Sequence, residues 1–149
     1  LDVKDCMDRA PAVGLGLALA QPGCKVMVLD CDATLRTDLG GLVTVGESNV
    51  SNLMHVVFDD GSHQSTQGTP IEGLDNVDFA AMAKGAGYAK TYQFDKLEEL
   101  LIGLEEAIVE RGPVFVLIKV HRDYDLPPMP ERSMATSCAI VRRTLLSER

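Results

Sequence analysis

Three short apolar runs restrict the folds open to this chain. They are residues 25–30 (Lys25, Val26, Met27, Val28, Leu29, Asp30), 52–58 and 114–120. Each has the length of one strand. Each is apolar at nearly every position, the pattern of strands covered on both faces rather than one. Helical spacing fills the intervals. Ala10, Val13, Leu17 and Ala20 predict a helix over 7–20, ended by Gln21, Pro22 and Gly23. Leu35, Leu39, Leu42 and Val43 predict another over 35–45, closed by Gly46 and Asn49. A short helix is expected over 78–85 and a weaker strand over 90–94. Asp95 is expected to cap a helix that runs to residue 110, with Leu97, Leu100, Leu101, Leu104 and Ile108 on one face. Gly112 and Pro113 end it. A proline-rich crossing over 125–130 leads to a terminal helix over 133–146. Strands alternating with helices imply βαβ units, hence an α/β fold of three layers, αβα, around a mostly parallel sheet. No internal repeat, low-complexity tract or second domain is evident, so residues 1–149 read as a single domain.

Composition narrows the partners. The 149 residues are 46% hydrophobic but only 5% aromatic, with no Trp, so small aliphatic side chains must supply most of the packing. The net charge of −8 repels a phosphate backbone and argues against nucleic acid as a partner. The same charge disfavours anionic membranes, and no apolar run nears the roughly 20 residues that span a bilayer. Cys6, Cys24, Cys31 and Cys138 are scattered and form no CxxC pair. They read as reduced thiols of a cytoplasmic protein rather than as a zinc site. The chain starts at Leu1, with periodic structure almost at once, so the natural polypeptide is expected to begin earlier.

In an open parallel sheet, ligands bind beyond the carboxyl ends of the strands. Two strand ends here carry acids: Asp30, Cys31, Asp32, Ala33, Thr34 after the first, and Asp59, Asp60, Gly61, Ser62, His63 after the second. If these strands are neighbours, Asp32 and Asp60 share one edge. Two hard oxygen ligands there suit Mg2+ or Ca2+, and a helix N-terminus following the first strand suits a phosphate. Acidic residues at strand ends also commonly do no more than solvate a turn, and spacing alone leaves both readings open. The polar stretch over 59–73 is long for a connection in a compact domain, which favours a functional loop. His63 falls in that loop, where it could bond a substrate or transfer a proton, or be a polar loop residue. His55 and His121 read as structural. Gly14-x-Gly16 lacks a preceding strand and reads as helix packing rather than a dinucleotide fingerprint. Glu98, Glu99, Glu105, Glu106 and Glu110 read as a solvated helix face.

Taken in order along the chain, these segments resemble the diphosphate-binding domain of thiamine-diphosphate-dependent enzymes. The likeness is greatest to phosphonopyruvate and sulfopyruvate decarboxylases, and it runs from Met7 to about Pro130. Cys31-Asp32-Ala33 stands where that family has Gly-Asp-Gly, and Asp59-Asp60 where it has Asn-Asn or Asp-Asn. The run from Leu39 to Gly46, then Val56-Val57-Phe58, then Ser65-Thr66-Gln67-Gly68, resembles the family's intervening helix, second strand and following loop. Met7-Asp8-Arg9-Ala10, leading into Gly14 to Ala20, resembles the start of its first cofactor helix.

The resemblance implies thiamine diphosphate and Mg2+ as cofactors, and it implies roles for individual residues. Mg2+ would be held by the carboxylates of Asp32 and Asp60 and the backbone carbonyl of Ser62. The backbone N–H groups of Ala33 and Thr34, beside Cys31, would hold the diphosphate. Met7 would prop the cofactor in its bent form, and the carbonyl of Asp5 would accept from its aminopyrimidine. Asp8, Cys31 and Ala33 replace family glycines, so each adds a Cβ near the cofactor. The implied activity is that of a decarboxylase, a lyase acting on a small anionic 2-keto acid. It requires a pyrimidine-binding partner domain or subunit and therefore an oligomer. The family's domain also has more chain before this segment, so a strand and a helix are expected to precede Leu1. The rival reading is a non-catalytic structural or regulatory subunit with a degenerate cofactor site.

Overall fold

The computed structural model describes residues 9–63, 69–70, 77–121 and 133–147. Two compact units divide the chain, Asp8–Arg122 and Leu1–Met7 with Asp123–Arg149.

In the larger unit, helix α1 (Ala10–Ala20) precedes strand β1 (Val26–Cys31). Helices α2 (Asp32–Thr37) and α3 (Gly40–Glu47) lead to β2 (Leu53–Asp59). A small antiparallel pair, β3 (Ser62–His63) and β4 (Thr69–Pro70), follows. Then come α4 (Phe79–Ala86), β5 (Lys90–Phe94), α5 (Leu97–Val109) and β6 (Val114–Lys119). The four longer strands form one sheet in the order β1-β2-β6-β5, parallel throughout. The fold is therefore α/β with a parallel sheet flanked by helices, as expected. Register pairs Cys31 with Phe58 and Asp59 with Lys119, so the chain leaves β1, β2 and β6 on one edge.

Two apolar clusters lie on opposite faces of the sheet, because neighbouring side chains along a strand point to opposite sides. Leu53, Val57, Phe115 and Leu117 meet α1, α3 and α4 through Leu15, Val45 and Phe79. Met54, Val56, Val114, Val116 and Ile118 form the other cluster with Ala107 and, partly buried, Leu100 and Leu104 of α5. Close approach is bought with glycine at two contacts. A Cβ on Gly14 of α1 would overlap Val28 of β1, and one on Gly46 of α3 would overlap the Ala86 carbonyl of α4. The helix-packing reading thus holds for Gly14, while Gly16 faces open space.

Several boundaries differ from expectation. β1 is an edge strand and is not covered on both faces: Met27 and Leu29 are 47% and 62% exposed, opposite the face that α1 covers through Val28. The helix expected over 35–45 is two helices. The first begins at Asp32, and Asp38 separates them by accepting the Gly41 N–H on both its carbonyl and its Oδ1, each at 3.1 Å. The helix over 97–109 has Lys96, not Asp95, at its N-cap and no side-chain cap bond. Its leucines do not form one buried face. Leu97, Leu101 and Ile108 are exposed, and Ala107 is the buried contact. The stretch after β2 is not all loop, since β3 and β4 pair within it. By contrast, Asp78 caps α4 through the Ala81 N–H at 2.8 Å. No helix among the described residues is long and apolar enough to cross a membrane. In the smaller unit, helix α6 (Met134–Ser147) starts at Ser133, whose Oγ accepts the Thr136 N–H. The crossing expected over 125–130 lies outside the described residues.

Candidate functional site

Because β1 and β2 are parallel neighbours, the acids that follow them come to one sheet edge. Asp32 is the first residue of α2, fully buried at 0% exposure, and neither carboxylate oxygen has a hydrogen-bond partner. Burial, then the nearby Asp59 and Asp60 carboxylates, push its carboxyl up to about 6; the Ala33 backbone N–H and then Arg36 oppose them. An ionised acid so placed is costly unless a cation reaches it.

At the end of β2 the backbone turns through Gly61 at φ 70°, a left-handed conformation that favours glycine. The turn folds Asp60 onto Ser62: Oδ1 accepts both the Ser62 N–H and its Oγ–H, each at 2.8 Å. Oδ2 of Asp60 has no hydrogen bond among the described residues. Ser62 is buried, whereas Asp59 and Asp60 are half-buried. Among the described residues, no three His, Cys, Asp or Glu side chains converge as a metal cage. A cation here would rely on the Asp32 and Asp60 carboxylates and main-chain oxygen. The donors fit a hard divalent ion in that sense.

The first turn of α2 is held from behind by Asp30. Its Oδ1 accepts the Cys31 N–H at 2.8 Å and the Thr34 hydroxyl. The Thr34 hydroxyl also lies 2.9 Å from the Cys31 carbonyl and 3.4 Å from Cys31 Sγ. Asp30 Oδ2 lies 3.3 Å from His55 Nε2, and His55 Nδ1 lies 3.1 Å from the Tyr88 hydroxyl. Burial raises the Asp30 carboxyl, but bonds from His55, Thr34 and Cys31 outweigh it and hold the group below its ordinary range. Burial, with the Asp30 charge adding to it, pushes the Tyr88 phenol well up.

Of the residues singled out by sequence, Cys31, Asp32, Ala33, Thr34, Asp60 and Ser62 gather at this edge. Ala33 is buried, and Cys31 and Thr34 are partly so. Asp5 and Met7 lie outside the described residues, as does the side chain of His63, whose backbone belongs to β3. The sequence marks Asp30 only as a strand-end acid and His55 only as structural, without joining them, and it does not mark Arg36. Arg36 stands one turn after Asp32, with Nε and Nη2 buried and unpartnered and its guanidinium 5.0 Å from the Phe79 ring. The Asp32–Arg36 spacing of four on one helix was the available signal.

Comparison with known proteins gives the family. Residues 3–118 match the family model of the thiamine pyrophosphate enzyme, C-terminal TPP binding domain. A phosphonopyruvate decarboxylase of Streptomyces viridochromogenes is 37% identical over 115 residues, 77% of this chain and 28% of that protein. A sulfopyruvate decarboxylase subunit beta of Methanothermobacter thermautotrophicus is 35% identical over 114 residues, 76% of this chain and 58% of that subunit. The chain thus spans just over a quarter of the first relative and under two thirds of the second. A solved structure described as a thiamin diphosphate-dependent enzyme from Mycobacterium smegmatis superposes with a TM-score of 0.66 at 17% identity. It covers 78% of this chain and 22% of that one, and it bears on the fold alone. With a family model matched across most of its length and an acidic sheet edge where that fold binds its ligand, the chain belongs to the thiamine pyrophosphate enzymes, as their C-terminal TPP-binding domain.

Proposed function

We propose that this chain anchors the diphosphate and Mg2+ of thiamine diphosphate in a 2-keto-acid decarboxylase of the phosphonopyruvate or sulfopyruvate type. The observation that carries the proposal is Asp32, a fully buried carboxylate without a partner, set beside the Asp60–Ser62 turn. A divalent cation at this edge offsets the repulsion among Asp32, Asp59 and Asp60. The Asp32 carboxylate, Asp60 Oδ2 and the Ser62 carbonyl hold the ion. The backbone N–H groups of Ala33 and Thr34 would hold the diphosphate, the Thr34 N–H turning from the Cys31 side chain that it meets in the capping box. His63 bonds the substrate or moves a proton, while Asp5 and Met7 support the pyrimidine side. When bound, thiamine diphosphate supplies the electron sink for decarboxylation.

Pyrimidine binding falls to a partner domain or subunit, and the assembly is an oligomer. The sulfopyruvate decarboxylase relatives, which are beta subunits, support this part. The free thiols of Cys24, Cys31 and Cys138 support a reducing, cytoplasmic setting. One observation favours the non-catalytic alternative: Cys31 and Ala33 place Cβ atoms where the family has glycine, on the turn that must approach the diphosphate.

The test is CO2 release by the assembly purified from its source through a tag on this chain. Phosphonopyruvate, sulfopyruvate and pyruvate are compared with Mg2+ and thiamine diphosphate added. Release from the two acids bearing a second anion, above that from pyruvate, supports the proposal. A cofactor-loaded assembly that releases CO2 from none of them supports the non-catalytic reading.

A further inference from the structure

A histidine in the middle of a central strand needs an explanation. His55 is 0% exposed, between Met54 and Val56 on β2, the second strand of the sheet. Burying an imidazole among aliphatic side chains is unfavourable unless both ring nitrogens find partners. Here both do, and the partners come from distant segments: Tyr88, in the turn after α4, and Asp30, near the end of β1. Phe115 of β6 holds both rings edge-on, with centroids 5.5 Å from His55 and 5.7 Å from Tyr88. The directions follow from the acid. With Asp30 ionised, His55 Nε2–H donates to Oδ2, and in the tautomer protonated there alone Nδ1 accepts the Tyr88 hydroxyl proton. Asp30 Oδ1 then remains for the Cys31 N–H and the Thr34 hydroxyl.

We infer that His55 and Tyr88 are positioning residues for the cofactor turn: through Asp30 they fix the backbone from Cys31 to Thr34 in the form that receives the diphosphate. The inference rests on the anchoring function proposed above. Neither residue touches the ligand. Each acts on it by setting one carboxylate, whose second oxygen locks the first turn of α2. Without the His55 donor, Asp30 is free to turn away, and the Cys31 and Thr34 bonds loosen with it. A ligand held by backbone N–H groups is sensitive to that, because its donors must already point inward before it arrives.

Two nitrogens with different partners allow a discriminating test. His55→Gln keeps a donor where Nε2 meets Asp30 but has no counterpart of Nδ1. His55→Leu removes both, and Tyr88→Phe removes only the phenol oxygen while keeping the ring against Phe115. The full chain is titrated calorimetrically with inorganic diphosphate in excess Mg2+, and the stability of the ligand-free chain is measured by urea unfolding. The expected result is a loss of affinity of about tenfold in His55→Leu, the size of one hydrogen bond. At least half of that loss, on a logarithmic scale, returns in His55→Gln, although its stability stays low. Tyr88→Phe, which keeps the ring beside Phe115, weakens diphosphate binding about two- to fivefold. Equal affinity in His55→Gln and His55→Leu, or unchanged affinity in Tyr88→Phe, overturns the inference and leaves the anchoring function standing. Failure of the unaltered chain to bind Mg2+-diphosphate overturns both.

Discussion

Replacing Asp32 by Asn should stabilise the ligand-free protein at neutral pH and, under the proposed function, abolish its hold on the metal. The structure sets the size of the effect. Burial and the Asp59 and Asp60 charges raise the Asp32 carboxyl from its ordinary 3.8 to about 6. The folded state therefore binds this proton more tightly than the unfolded state. Its destabilising effect is absent below about pH 4, where both states are protonated. It grows between about 4 and 6, where the unfolded chain has ionised and the folded one has not, and it is complete above that. At about 1.4 kcal/mol per pH unit, the rise corresponds to ~3 kcal/mol at pH 7. Asparagine resembles the neutral acid in shape and in its unsatisfied hydrogen bonds, so it removes the charge and little else. Urea unfolding in a chelator, at pH 4 and pH 7, measures the difference directly. Asp32→Asn should match the unaltered chain near pH 4 and exceed it by ~2–3 kcal/mol at pH 7. Equal stability at pH 7, or the same gain at both pH values, would refute the view that an unpaired carboxylate strains this site.

Other expectations concern the frame that carries the site. Gly46→Ala drives a Cβ into the Ala86 carbonyl and should cost about 1–3 kcal/mol in chemical denaturation, whereas Gly16→Ala, facing open space in α1, should gain up to ~1 kcal/mol. Asn52 Nδ2 lies within 3.1 Å of the Ala18, Gln21 and Cys24 carbonyls, so Asn52→Ala should cost about 1–3 kcal/mol and increase amide exchange at the end of α1. Asp78→Ala removes the N-cap of α4 and should lower stability by about 1 kcal/mol, with Asp78→Ser recovering most of it.

The strands were legible because β2 and β6 are apolar at nearly every position and lie inside the sheet. The same rule misread β1. Met27 and Leu29 are as aliphatic as Val28, and composition cannot tell an uncovered edge from a covered centre. The break between α2 and α3 was hidden for a related reason. Leu35, Leu39 and Leu42 keep a helical period across it, while the interruption comes from one side chain, Asp38, bonding the Gly41 amide. In α5 the expected face is half right: Leu100 and Leu104 pack against the sheet beside Ala107, while Leu97, Leu101 and Ile108 are exposed. The pairing of Asp32 with Asp60 at one edge was legible, because it needed only that β1 and β2 be parallel neighbours. The Asp30–His55–Tyr88 chain was not. It joins residues 25 and 33 positions apart through a register and a turn that no local pattern encodes.

The central claim is that this sheet edge holds a metal-bridged diphosphate, and thermal unfolding tests it most directly. The chain is melted alone, with Mg2+, with thiamine diphosphate and with both, beside Asp32→Asn under the same conditions. Binding at about 100 times the dissociation constant adds ~2.7 kcal/mol to stability. The account predicts a rise in Tm of the unaltered chain that requires both ligands together, and none in Asp32→Asn. No rise at saturating concentrations, or an equal rise in Asp32→Asn, would contradict it.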